Sequence, residues 1–307
     1  MYRLPVSHAQ TIENICLNPC RSIGGEASDI IYQWAGICTD SEYFIYVTDA
    51  MDFSLKKLDA TGKIIVKCGN HGQGPGEFMA PRWITCHDSQ LYALDQYSPG
   101  IQIFNTKLEY ISHIPFTGPI QDFHVIHQDT IVIAPLLIKD PGELFFLGTE
   151  GAVQKRIRYA SPSGNPFLYT VRFIFRKNRS FVLIYQFIDK IQCIDCSGHT
   201  IWEKTLFKGV TAKSTEINGF NVPDEIVYTD IAEDSQGNIY ILGGSYSENP
   251  KRDIYILNSL GEHTGIFTLS EPSHCLHIGD EDFLYTRSDM GMGIHIYNLN
   301  RENRNIR

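Results

Sequence analysis

The chain has 307 residues, 43% hydrophobic and 20% charged, a globular composition able to bury a sizeable core. A net charge of −9 lacks the basic footprint of a broad nucleic-acid binder and argues against nucleic acid as a partner. Eight cysteines in so long a chain do not make a disulfide scaffold.

The first thirty residues carry no basic-then-apolar leader, and no apolar run reaches the length of a transmembrane helix. From residue 33 onward, short alternating runs recur in threes and fours. The leading runs are QWAGICTD (33–40), RWITCHD (82–88), QDFHVIHQD (121–129), TVRFIFRKN (170–178), YTDIAEDSQG (228–237) and SHCLHIGDED (273–282). Each is followed by a β-branched or aromatic run such as YFIYVTD or QLYALDQ, and then by a third. Asp, Ser and Gly separate the first two runs, and DATGK, NTKLE, TEGAV, DCSGH and NSLGE follow the third. Such clusters read as hairpin turns. No 3.6-residue apolar stripe supplies crossover helices. Six copies of a three- or four-stranded antiparallel unit predict an all-β, six-bladed β-propeller of four-stranded blades. We expect one domain over 1–307, with blades near 30–67, 82–114, 121–157, 170–206, 228–268 and 273–300. The last copy runs out after its third strand, so TIENICL (11–17) is expected to close the ring.

Between copies one and two lies GNHGQGPGEF, with Gly69, Gly72, Gly74 and Gly76 inside eight residues. A phosphate loop would lead into a helix N-terminus; this stretch leads into a strand and predicts a tight crossing between blades. Cys193 and Cys196 have CxxC spacing, but no second pair completes a zinc set.

The stretch GQGPGEFMAPRWITCHDSQLYALDQYSPGIQIFN (72–105) resembles an NHL-type repeat. YVTD in copy one and DIAEDSQGNIYIL in copy five match in part, and the other copies match by pattern. The chain thus resembles the six-bladed β-propeller proteins of Bacteroides-like bacteria, many of them uncharacterised envelope proteins. That resemblance implies the fold and an extracytoplasmic setting, and names no ligand.

In a propeller the first strand of each blade lines the axis, so residues from six distant points converge there. The ligand-binding candidates are Arg82, Asp122, His124, Arg172, Tyr228, Asp230 and His274, with Gln33, Gln121 and His277 beside them. Arg82 and Arg172 are expected to be the main anionic contacts, unless Asp122 and Asp230 neutralise them as ion pairs. Alternation puts His274 and His277 on opposite strand faces. Asp49 and Asp95 are expected to hold turns, and Trp34 and Trp83 to pack between blades. Long loops at 159–169 and 207–228 flank a sector, 151–213, with eleven basic residues against Asp189, Asp195 and Glu203. These features predict a binding or scaffolding module for a small ligand, glycan or peptide. The alternative is a metal-assisted hydrolase or lyase at the channel mouth. No cofactor, metal ligand set or catalytic residue is assigned.

Overall fold

The computed structural model describes residues 13–302 apart from 27, 29, 99, 137–141, 162–163 and 289, and leaves out the side chains of 13, 34, 35, 301 and 302. Among the described residues six sheets follow one another along the chain, each built on an antiparallel meander, and a separate two-stranded hairpin, Ser214–Ile217 with Phe220–Pro223, interrupts the crossing into the fifth. The first strands are Trp34–Thr39, Pro81–His87, Ile120–His127, Val171–Phe175, Tyr228–Glu233 and Leu276–Ile278. They neighbour one another around a common axis. The protein is a six-bladed β-propeller. Among the described residues, helical structure amounts to a 3-10 turn at Pro166–Tyr169 and one turn at Leu299–Glu302.

The hairpins form where the turn residues demand them. Asp59, Asn105, Asp195 and Asn258 each accept backbone N–H bonds two and four residues on. Three of these turns then use a left-handed glycine, Gly62, Gly198 and Gly261. Leu108 takes that conformation in the fourth. This is the type I turn plus bulge that joins antiparallel strands without splaying them.

Apolar side chains bury between blades rather than within them. Tyr92, Ile101 and Ile103 of blade two share a cluster with Phe123, Ile131 and Ile133 of blade three. Each such side chain contributes about 1.5–3 kcal/mol. Trp83 touches that cluster and also the one joining blades six and one; the Trp34 side chain lies outside the described residues.

The glycine-rich stretch is a crossing, as expected. Phe78 is fully buried and anchors it. The Phe78 N–H donates to Asn70 O, and Gly72 N–H to Phe78 O. Gly74 and Gly76 donate to the Glu77 carboxylate and the Gln102 amide, so both donors are already engaged. Asp49 accepts from Tyr32, Gln33 and Met51, and Asp95 from Met79, Ala80 and Tyr97, which ties each crossing to its blade.

The N-terminal chain closes the ring through two strands. Glu13–Leu17 pairs in parallel with His263–Leu269 and adds a fifth strand to blade five. Arg21–Gly24 then pairs antiparallel with Gly293–Asn298 as the fourth strand of blade six. The segment expected to complete blade six therefore sits one blade earlier, and the stretch after it does that work. A single strand would have tied blade six alone; two strands with a turn between them tie blade five to blade six.

Candidate functional site

The six first strands enclose an axial cavity of about 290 Å³. Of the expected residues, Asp122, His124, Arg172 and Asp230 line it together. Strand alternation and six-fold convergence bring them there from four positions spread over more than a hundred residues.

Arg172 is the centre of the charged end. Its Nε donates to Asp122 Oδ2 at 2.9 Å, and its Nη2 lies 3.0 Å from Asp230 Oδ1. The guanidinium stacks 3.9 Å from the Trp83 ring centroid. Asp122 also accepts the N–H of Phe173, and Asp230 that of Leu276. Each carboxylate thus clamps its own blade to the first strand of the next, and Arg172 spans both clamps. Burial alone would lower the Arg172 pKa, but the two carboxylates outweigh it and hold the group protonated. Arg172 is an internal ion pair, the second of the two roles the sequence left open for it.

Arg82 differs. It is half-buried, at the start of its strand beside Trp83, with its guanidinium 5.2 Å from that ring. Its backbone carbonyl accepts from the Thr48 hydroxyl, but its guanidinium makes no hydrogen bond or ion pair among the described residues. Burial lowers its pKa, and the like charge of Arg172 lowers it further. The charge of Asp122 opposes both effects.

The cavity is also lined by His124, His277 and Cys275, the last beside Asp230. His124 packs against Phe173, 5.6 Å between ring centroids, and burial lowers its pKa. His277 Nε2 lies 2.9 Å from Thr39 Oγ1 of blade one, and burial lowers its pKa to about 4. Both imidazoles are neutral at pH 7. Burial pushes the Cys275 thiol well up, so it is not a ready thiolate nucleophile.

Two expected residues are elsewhere. Tyr228 is fully buried between blades four and five. Its hydroxyl donates to Asp189, which also accepts the N–H groups of Leu206, Phe207 and Gly209. It organises a crossing, because a residue at the first strand's opening can point between blades as well as to the axis. His274 precedes the strand Leu276–Ile278 and does not line the cavity; His277, on the opposite face, does. Gln121 is also buried, bonded to Gln186 at 2.6 Å. Sequence reasoning missed Trp83 as the shelf for two guanidiniums, although its position directly after Arg82 was a signal. Among the described residues, no group of three or more His, Cys, Asp or Glu is placed to hold a metal ion.

The class is therefore a six-bladed β-propeller with a polar axial cavity. No known family profile and no curated protein matches the chain. Among solved structures, a member of the DUF4221 family from Bacteroides vulgatus is similar at 12% identity, TM-score 0.62, over 92% of this chain and 97% of that one. A protein of unknown function from Bacteroides caccae is similar at 11% identity, TM-score 0.52, over 76% and 81%. Virginiamycin B lyase from Staphylococcus aureus is similar at 11% identity, TM-score 0.58, over 90% and 98%. The resemblance to Bacteroides propeller proteins holds, and at these identities it is a likeness of fold.

Proposed function

We propose that the protein is a binding module that takes a small carboxylate-bearing ligand at the mouth of its axial channel, with Arg82 as the anionic contact. The observation that carries this reading is the contrast in partners. Arg172 already has two carboxylates, whereas Arg82 sits half-buried beside it with no ion pair among the described residues. A guanidinium so situated is stabilised by an incoming anion, and its planar fork suits a carboxylate. Long crossings into the first strands, such as 207–227, lie at the same ends of those strands as Arg82, where ligand-holding loops are usually found. The resemblance to envelope proteins makes an extracytoplasmic setting part of the proposal. No described helix is long and apolar enough to cross a membrane.

Calorimetric titration of wild type, Arg82→Lys and Arg82→Ala with galacturonate, glutamate and sulfate tests it. Saturable binding of a carboxylate that weakens in Arg82→Lys and disappears in Arg82→Ala is expected. Binding that is indifferent to Arg82, or no binding by any of the three, would sink the proposal.

A further inference from the structure

We infer that blade six carries a second, hydrolytic site: a Ser22–His295–Glu271 relay that acts on small carboxylic esters without negative charge. The site is independent of the channel mouth and shares no residue with it.

Ring closure creates the arrangement. Ser22, in the closing strand Arg21–Gly24, stands directly opposite His295 in the strand Gly293–Asn298. Opposed residues of antiparallel strands project from the same face. Ser22 Oγ lies 2.8 Å from His295 Nδ1, and His295 Nε2 lies 3.2 Å from Glu271 Oε2. The carboxylate can only accept, so it takes an Nε2–H, and that choice leaves the Nδ1 lone pair facing the serine hydroxyl. The ring nitrogens exchange the roles they have in the familiar Ser–His–Asp triad, but the proton path is equivalent. Ser22 is exposed, while the His295 side chain is only 15% exposed. The nucleophile is reachable and its base is sheltered.

These three residues border a pocket of about 250 Å³ that Glu26, Met290 and Met292 also line. The methionines give an acyl group an apolar wall. Glu26 and Glu271 repel a negatively charged substrate. Arg21–Gly24 is the outermost strand of its sheet, so its alternate N–H groups face away from any partner strand and are on offer to a developing oxyanion.

In the first step Ser22 Oγ bonds to the ester carbonyl carbon and its proton passes to His295 Nδ1. The carbon–alkoxy bond breaks, and the alkoxide leaves as an alcohol with that proton. Water then attacks the acyl-serine, again giving a proton to Nδ1, and the carboxylic acid leaves as Ser22 Oγ regains it. His295 touches the reacting atoms; Glu271 is a positioning residue.

The test uses the full chain, a fluorophosphonate probe read by peptide mass spectrometry, and hydrolysis of p-nitrophenyl acetate. In labelling, the Ser22 oxygen–phosphorus bond forms, fluoride leaves, and the proton goes to His295. We expect an adduct on Ser22, hydrolysis lost in Ser22→Ala, and labelling slowed about 100-fold or more in His295→Gln. Glu271→Gln should slow labelling, and Glu271→Asp should recover part of the rate, which a merely structural carboxylate would not do. Ser22 is exposed, so Ser22→Ala keeps the test standing if His295→Gln does not fold. An unlabelled Ser22, or hydrolysis unchanged in Ser22→Ala, would overturn the inference and leave an ordinary cross-strand hydrogen-bond network.

Discussion

Arg82 and Arg172 open the first strands of blades two and four and share one tryptophan ring. Their surroundings drive them in opposite directions. Two carboxylates hold Arg172 protonated against its burial, whereas burial and the neighbouring Arg172 pull the Arg82 pKa down. The same residue type at the same strand position is a keystone in one blade and a charge without an ion pair in another. What differs is the adjacent blades: Asp122 and Asp230 flank blade four on either side, and blade two has no such pair. Position in a repeat decides where a side chain goes, but its neighbours decide what it does.

The largest expected effect follows from the keystone. Arg172→Ala should cost about 3–5 kcal/mol, because it leaves two buried carboxylates without their cation. Urea denaturation measures it. Adding Asp122→Asn and Asp230→Asn to Arg172→Met should recover part of the loss, since the uncompensated charges are then gone. If Arg172→Ala is no worse than an average surface change, the two arginines are not different in kind.

A second prediction compares the axis with the rim, where distant parts of the chain also hold the ring together. Leu17 and Ile23 are 1% and 4% exposed, each buried by a closing strand. Leu17→Ala and Ile23→Ala should each cost about 2–5 kcal/mol. Costs below about 1 kcal/mol would mean that the axis alone keeps the propeller closed.

The third concerns pH. A histidine in the unfolded chain titrates near 6.5, while His277 in the cavity wall is lowered to about 4. Between these values the unfolded chain binds a proton that the folded chain does not. Stability present above pH 6.5 is therefore lost as the pH falls toward 4, by about 3 kcal/mol. His277→Asn should flatten that part of the stability–pH curve. The remaining slope belongs to His124, whose pKa is lowered in the same direction, opposed by Asp230, whose carboxyl burial pushes up. An unchanged slope in the variant would show that His277 is hydrated rather than buried in effect.

How much of this was legible in the residues depends on how far apart the partners are. The blades were, because a strand announces itself through alternation and a hairpin through an Asx residue followed by a glycine, all within a dozen positions. Asp49 and Asp95 were read as turn-holding for the same reason. The site was legible only as a list of residues that approach the axis. Whether Arg172 is free depends on Asp122, fifty residues away, and on Asp230 in the following blade. Tyr228 and His274 show the same limit: one residue of phase separates the axis from the space between blades, and a bulge in the strand Tyr228–Glu233 shifts that phase. Which blade Glu13–Leu17 joins was beyond reach, since strand partners across the whole chain leave no local trace. Ser22, His295 and Glu271 were invisible for that reason too.

The smallest effect on stability should come from Arg82→Ala, and it is the one that separates the two arginines most cleanly. Removing Arg82 breaks no hydrogen bond or ion pair among the described residues and relieves repulsion with Arg172. What it loses is stem packing against Trp83 and a weak cation–π contact at 5.2 Å, worth about 0.5–1 kcal/mol. The two nearly cancel, so thermal unfolding should move by no more than about 0.5 kcal/mol in either direction. Salt gives an independent check. Screening weakens the repulsion that Arg82 feels, so wild type should gain slightly more stability than Arg82→Ala as ionic strength rises. A loss above about 2 kcal/mol in Arg82→Ala would mean that this guanidinium also holds blades together and is not the unpaired cation that the proposed carboxylate site requires.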